Sequence, residues 1–311
     1  MKLHIPVLLN EVIEGLNLNP NQNVIDATLG GGGHSEMILD KIAPNGKIIG
    51  FDLDVSAISI AKKRLRKFGD RVIYINDNYQ NLKNYELQFD FGINAILLDL
   101  GLSLYQLQDK NRGFSFLDES GLDMKYDKDE SGPDAKYIIN NYKEEDLVKI
   151  FNDFGEEKLA KQIAKEIVSA RKVKEINTAI ELSDVISRIY RRFYKKYSRT
   201  NPATKVFQAL RIYINHEFEN IENFLPDAIK ILRPGGRFVV ISYHSLEDRI
   251  IKNYFKTESR DCICPLELPE CRCNHKASIR IINKSIILPS QEEIVLNPAS
   301  ESAKMRIVEK I

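Results

Sequence analysis

Short apolar runs alternate with amphipathic ones through the first third of the chain. NVIDATL (23–29), KIIGFDLD (47–54), RVIYIND (71–77) and NAILLDLG (94–101) read as strands. Between them, SEMILDKI (35–42) and AISIAKKRLRKF (57–68) carry the helical period. Strands alternating with helices predict a parallel sheet with crossover helices. Near-continuous apolar strands predict burial on both faces.

The rhythm stops near Ser103, where LYQLQDKNRGFSFLDESGLDMKYDKDESGPD is polar and loop-like. Long helical patterns follow. Leu159, Ile163 and Ile167 repeat every four residues. Thr178 and Glu181 have the spacing of a capping box, and Asn201-Pro202 that of an N-cap before a first-turn proline. Beyond Leu232 the strand–helix rhythm returns: RPGG (233–236) predicts a turn, RFVVISY (237–243) a strand and SLEDRIIKNYF (245–255) a helix. SIRIINKS (278–285) and SAKMRIVEK (302–310) are β-rich. The expected organisation is one α/β domain, 1–103 with 206–311, interrupted by a mainly helical insertion over 104–205.

A length of 311 residues fits such a domain with an insert, and 43% hydrophobic residues suffice for its core. No apolar run reaches the roughly 18 residues of a membrane span. The N-terminal run in MKLHIPVLLNEVIEGL breaks at Asn10 and Glu11, unlike a signal peptide. A soluble cytoplasmic protein is therefore expected.

The net charge of +1 argues against a general nucleic-acid coat, yet the charge is unevenly spread. From Lys158 to Arg211 there are 14 Lys+Arg and 4 Asp+Glu, a local balance of +10. On a helix over about 179–199, Arg188, Arg191, Arg192, Lys195, Lys196 and Arg199 share one side, opposite Leu182, Ile186, Ile189, Phe193 and Tyr197. An ordinary solvated face and a phosphate-gripping face both fit this pattern. Phosphate contacts would position RNA or DNA without reading its sequence.

Leu29-Gly30-Gly31-Gly32-Gly33-His34 directly follows a predicted strand and opens a predicted helix. Glycines there let a ligand approach the backbone, and the helix start offers free N–H donors. Asp52 ends the next strand, where an acid in a nucleotide-binding sheet holds ribose hydroxyls. The dinucleotide pattern G-x-G-x-x-G fits badly, since its last position is Ser35, and no phosphate-binding Lys follows the loop. An adenosine ligand without a pyrophosphate, such as S-adenosylmethionine, fits better. Asp99 and His244 also follow strands and so sit at the ligand edge. Asp99 could act on a substrate or merely cap a turn, and His244 could serve as a base or hydrogen-bond at a helix start.

Cys262, Cys264, Cys271 and Cys273 form two C-x-C pairs, with His275 nearby as an alternative ligand. Four thiolates could hold a structural zinc. The spacing is tighter than the usual C-x-x-C knuckle, and four reduced thiols in a loop with no metal is the favoured reading.

Several segments together resemble one family. HIPVLLNEVIEGL, DATLGGGGHS, DLGLSLYQLQ, NRGFSF, GLDMKYD, NPATKVFQALRIYIN, LRPGGRFVVISYHSLEDRIIKNYF and SAKMRIVE look like the bacterial 16S rRNA cytosine-N4 methyltransferases. They run in the family's order and cover nearly the whole chain. The resemblance implies a Rossmann-like class I S-adenosylmethionine-dependent methyltransferase sheet with an inserted, mainly helical RNA-recognition domain. It implies transfer of a methyl group from S-adenosylmethionine to N4 of one cytidine in the decoding region of 16S rRNA, in the small ribosomal subunit. The family's cofactor contacts fall on Gly32, Gly33, His34, Asp52, Tyr79, Asp99 and Gln106. Departures exist: Ser-Ser-Pro-Gln is usual where Ser103-Leu104-Tyr105-Gln106 stands, His where Asn201 stands, and Phe at Tyr79.

On this reading Asp99, and by position His244, are the candidate catalytic residues, and Tyr105, Phe114 or Phe116 could stack on the target base. Arg188, Arg191, Arg192, Lys195 and Arg199 would grip RNA. Three rivals share parts of the pattern. A nicotinamide-dependent dehydrogenase would share the sheet and Asp52. A non-catalytic RNA-binding protein would need only the basic helix. A methyltransferase acting on another base or on DNA would keep all but the target. The N/D-P-P-Y/F signature of many amino-methylating enzymes is absent, since DLGL stands in its place.

Overall fold

The structure, a computed structural model, describes residues 5–88, 92–101, 112–127, 131–194, 201–265, 268 and 270–311. The chain divides into two compact units, Met1–Gly101 with Phe218–Ile311, and Leu102–Glu217.

The first unit opens with helix α1 (Leu9–Leu16), then strand β1 (Val24–Asp26), α2 (Gly33–Lys41), β2 (Ile48–Phe51), α3 (Val55–Arg64), β3 (Val72–Ile75) and β4 (Ile93–Asp99). β1 pairs in parallel with β2 and β4, and β2 with β3. The strands are buried on both sides, as their continuous apolar runs predict. Ile25, Ile49 and Leu98 enter one core, and Val24, Ile48 and Leu97 the other. Each strand stops short of its apolar run, because the polar ends such as Asp52 turn into the loops at the carboxyl edge. α3 starts at Asp54, whose side chain accepts the Ser56 amide. It ends at Arg64 rather than at 68, where a 3-10 turn with Gly69 takes over.

The second unit holds α4 (Ala135–Asn141), α5 (Glu144–Asp153), α6 (Ala160–Val173), α7 (Ala179–Phe193) and α8 (Thr204–Ile214) around one core. Leu159, Ile163 and Ile167 all point into it. Thr178 Oγ1 accepts the Glu181 amide, and Glu181 reaches back to the amide of Asn177. α7 ends at Phe193, short of the expected 199, with Tyr194 extended and exposed. α8 starts at Thr204, because Asn201 first closes a turn with Oδ1 on the Ala203 amide. Val206, Phe207, Leu210 and Ile214 of α8 pack in this core, so the compact unit runs on to Glu217, past the expected division at 205.

Three distant motifs meet inside this unit. The buried Arg112 of NRGFSF donates to the carbonyls of Lys125 and Tyr126. Asn215, at the end of NPATKVFQALRIYIN, accepts the Tyr126 amide at 2.7 Å and donates to the Met124 carbonyl at 2.8 Å. Phe114 is 8% exposed and stacks on Tyr126, and Phe116 lies edge-on to Phe207. The Phe114 ring is thus taken up by the core of this unit, while Phe116 packs against it half-buried.

The chain returns to the first unit with α9 (Glu217–Ile231), β5 (Leu232–Ser242), α10 (Ser245–Glu258), β6 (Ile279–Ile281), α11 (Gln291–Leu296) and β7 (Lys304–Lys310). β5 adds in parallel to β4, and RPGG loops out where the partner jumps from Leu232 to Arg237. β7 is antiparallel to both β5 and β6. The order across the sheet is β3-β2-β1-β4-β5-β7-β6. After β3 the chain crosses back to the other side of β1, so the order reverses between β1 and β4. Ligands in open α/β sheets bind outside the carboxyl ends of the strands at such a switch point. Among the described residues no helix is long and apolar enough to cross a membrane.

Candidate active site

The glycine loop is built on that switch point. Gly30 and Gly32 have φ of +51° and +77°, the left-handed region that a side chain disfavours. The loop is stitched to β2 by the Leu29 amide on the Phe51 carbonyl and the Gly30 amide on Asp52 Oδ2, both at 2.8 Å. A Cβ on Gly30 would meet nothing closer than the Thr28 carbonyl at 4.0 Å, so the loop presents an open face there. Gly32, whose amide donates to the Leu29 carbonyl at 2.8 Å, is the N-cap of α2 and Gly33 its first residue, so the first-turn amides of α2 follow the loop directly.

Asp52 also accepts the Asp54 amide at 2.8 Å. Burial pushes its carboxyl up from 3.8 to about 6, against the pull of these two amides. Beneath the loop, Asp26 is fully buried and accepts Ser35 Oγ at 2.6 Å, and burial raises its carboxyl as well. Asp77, at the end of the third predicted strand, is spent on Asn78, Asn81 and Tyr85.

Asp99 closes β4 beside the loop. Its amide donates to Thr28 Oγ1 at 2.7 Å, and Tyr243 donates its hydroxyl to Asp99 Oδ1 at 2.9 Å. Burial and the Asp99 charge push the Tyr243 phenol well above its usual value, so it remains a donor. Oδ2 of Asp99 lies 3.8 Å from His34 Nδ1. His34 Nε2 is 2.9 Å from the Val7 carbonyl, which can only accept, so Nε2 carries a proton. Tyr243 and Thr28 were not among the residues singled out from the sequence. Their signal is position: Thr28 starts the glycine loop, and Tyr243 directly follows β5, the parallel neighbour of β4.

His244 is the N-cap of α10. Its Nδ1 accepts the Glu247 amide at 3.4 Å, and Glu247 Oε2 accepts the Tyr243 and His244 amides in return. Nε2 lies 2.8 Å from Glu247 Oε1 but out of hydrogen-bond alignment. The sheet thus brings Asp99 to the loop and gives His244 the start of a helix.

Tyr79 opens the turn after β3 and rests edge-on against Phe224 at 5.1 Å. In the helical unit Arg188, Arg191 and Arg192 are exposed, while Leu182, Ile186 and Ile189 are buried. Phe193, expected on the apolar side, is 51% exposed. Tyr105, Gln106, Lys195, Lys196, Tyr197 and Arg199 lie outside the described residues.

A parallel sheet carrying a glycine loop, an acid after β2 and another at the end of β4, with an antiparallel β7, is the Rossmann-like sheet of class I methyltransferases. The family model of the MraW methylases matches residues 1–311, and the chain belongs to that family. Three relatives carry the name ribosomal RNA small subunit methyltransferase H. The Finegoldia magna protein is 44% identical over 311 residues, covering 99% of this chain and 98% of the relative. The Dehalococcoides mccartyi protein is 45% identical over 309 residues, covering 99% and 86%. The Clostridioides difficile protein is 44% identical over 309 residues, covering 99% of each.

Proposed function

We propose that this methylase transfers a methyl group from S-adenosylmethionine to the exocyclic N4 of one cytidine in the decoding region of 16S rRNA, within the small ribosomal subunit. Its place of action would be the cytoplasm. The observation that carries the reading is Asp99, held at the switch point by Thr28 and Tyr243 beside an open glycine loop.

The residues present fit the methyl donor. The glycine loop lets it approach the backbone without side chains, and Asp52 keeps carboxylate lone pairs for ribose hydroxyls beyond the amides it already accepts. Tyr79 supplies an aromatic edge after β3, and His34, Asp99 and Gln106 complete the set. When bound, S-adenosylmethionine supplies an electrophilic methyl group on a sulfonium.

The protein's task is then alignment. The N4 lone pair of cytosine is delocalised into the ring and attacks poorly. Asp99 accepts a hydrogen bond from N4–H, which localises that lone pair, and Tyr243 fixes the carboxylate in the accepting orientation. As the methyl group transfers, the displaced N4 proton leaves toward Asp99. His244 serves the start of α10 in this scheme rather than acting as the base.

The helical unit would recognise the RNA. Arg188, Arg191 and Arg192, with Lys195 and Arg199, make phosphate contacts that position it. The target base must leave its stack to reach Asp99.

The test is methyl transfer from labelled S-adenosylmethionine to small subunits lacking the modification, with digestion of the rRNA to nucleosides. Label in N4-methylcytidine is expected, and label in another nucleoside would refute the target. Asp99→Asn should lower turnover by about 10²–10⁴-fold, the usual range for a positioned acid–base group. Full turnover in that variant would remove Asp99 from the chemistry.

A further inference from the structure

The four cysteines lie apart from the glycine loop and Asp99, in the stretch between α10 and β6. Among its described residues this stretch has no regular secondary structure, and Ile263 and Leu268 are 46% and 42% exposed. It has little apolar burial to hold it. Yet its thiols converge. The Sγ atoms of Cys262, Cys264, Cys271 and Cys273 all lie within 4.8 Å of one another, and none is in a disulfide. Cys271 and Cys273 are 3.6 Å apart, and Cys273 and Cys262 3.8 Å. A tetrahedron with Zn–S bonds of about 2.3 Å has edges of about 3.8 Å. A disulfide would pull one pair to about 2 Å instead. A polynuclear iron–sulfur cluster sits between its cysteines and spreads them further apart than this.

The backbone is arranged for thiolates. The Cys264 amide donates to Cys262 Sγ at 3.4 Å, the Arg272 amide to Cys264 Sγ at 3.3 Å, and the Ile263 amide to Cys273 Sγ at 3.5 Å. Such donors offset the negative charge of a metal-bound sulfur. Within each tight C-x-C pair the amide of the middle residue, Ile263 or Arg272, turns toward a sulfur of the opposite pair. His275 stays out of the cluster, with Nε2 3.2 Å from the Thr257 carbonyl.

We propose that Cys262, Cys264, Cys271 and Cys273 bind one zinc ion in a closed tetrahedral site that staples the stretch between α10 and β6. Binding replaces four S–H bonds by four Zn–S bonds and releases the protons to solvent, with no change of oxidation state. Four protein ligands leave no open position, so the ion is structural and takes no part in methyl transfer.

The test uses the full chain, purified with reductant and without chelator, then given stoichiometric zinc and passed through a desalting column. Elemental analysis should find about one zinc per chain. The Cys262→Ser/Cys273→Ser double variant should retain none while binding S-adenosylmethionine as the parent does, which shows that it is folded. Cobalt in place of zinc should give the intense visible absorption of a tetrahedral thiolate site, and His275→Ala should leave it unchanged. Removing zinc should speed tryptic cleavage at Arg260 and Arg272 by roughly tenfold or more, as for a segment released from local structure. A zinc-free parent protein, zinc retained by the double variant, iron as the bound ion, or a disulfide under reductant would each overturn the proposal.

Discussion

Tyr243 donates its hydroxyl proton to Asp99 Oδ1 at 2.9 Å, tying the loop after β5 to the end of β4. The pairing follows from the sheet. Ile241 lies opposite Asp99 in the parallel register, and Tyr243 is two residues further on. Gly101 makes room for it: a Cβ there would stand 2.8 Å from the tyrosine ring. Hydrogen bonds to charged groups are worth about 1.5–3 kcal/mol. Tyr243→Phe should therefore lower kcat by about ten- to a hundredfold with little change in cofactor affinity. Gly101→Ala should do the same by displacing the ring. Single-turnover methyl transfer and calorimetric cofactor binding would read this, and an unchanged kcat in Tyr243→Phe would show that Asp99 needs no such alignment.

In its proposed role at the ribose, Asp52 should make cofactor binding pH-dependent. Its carboxyl is raised to about 6 in the folded chain, from an ordinary value of 3.8. A raised carboxyl favours the folded state fully below the ordinary value, and that contribution is lost as pH rises through about 6. Ribose hydroxyls donate to the charged form. Cofactor affinity should hence fall as pH drops through about 6. Asp52→Asn should bind about ten- to a hundredfold more weakly at pH 7.5 and lose the titration. A parent affinity that stays flat between pH 5 and 8 would exclude this role.

The exposed arginines of α7 should govern RNA affinity but not chemistry. Replacing Arg188, Arg191 and Arg192 together by Gln should weaken binding to the small subunit. Its salt slope should become shallower by about one unit for each arginine that no longer neutralises a phosphate. Turnover at saturating substrate should hold. An unaltered salt series would mean that these side chains are only a solvated face.

His244 separates a capping role from a catalytic one. Losing an N-cap side chain costs about 0.5–2 kcal/mol. His244→Ala should lower the melting temperature, while His244→Asn, which can still cap, should restore stability and keep most activity. If His244→Asn is as stable as the parent yet inactive, the ring has a chemical task beyond the cap.

Much of this protein is written locally in its sequence. Apolar runs of both-sided burial specify β1 to β4, because a strand covered on two faces needs no alternation. The glycines at 30 and 32 mark their turn, because left-handed backbone selects residues without a side chain. The family was legible from its motifs, and so were the acids at the strand ends. Tertiary structure decided the partners. The sheet order reverses between β1 and β4, and that long-range fact alone makes Asp99 neighbour to the glycine loop. No local pattern joins Tyr243 to Asp99 across 144 residues, or brings Arg112, Met124 and Asn215 together in one core. The cysteines show the same division: their C-x-C spacing leaves both metal and free thiol open, and only the convergence of four sulfurs within 4.8 Å shows that one ion would fit between them.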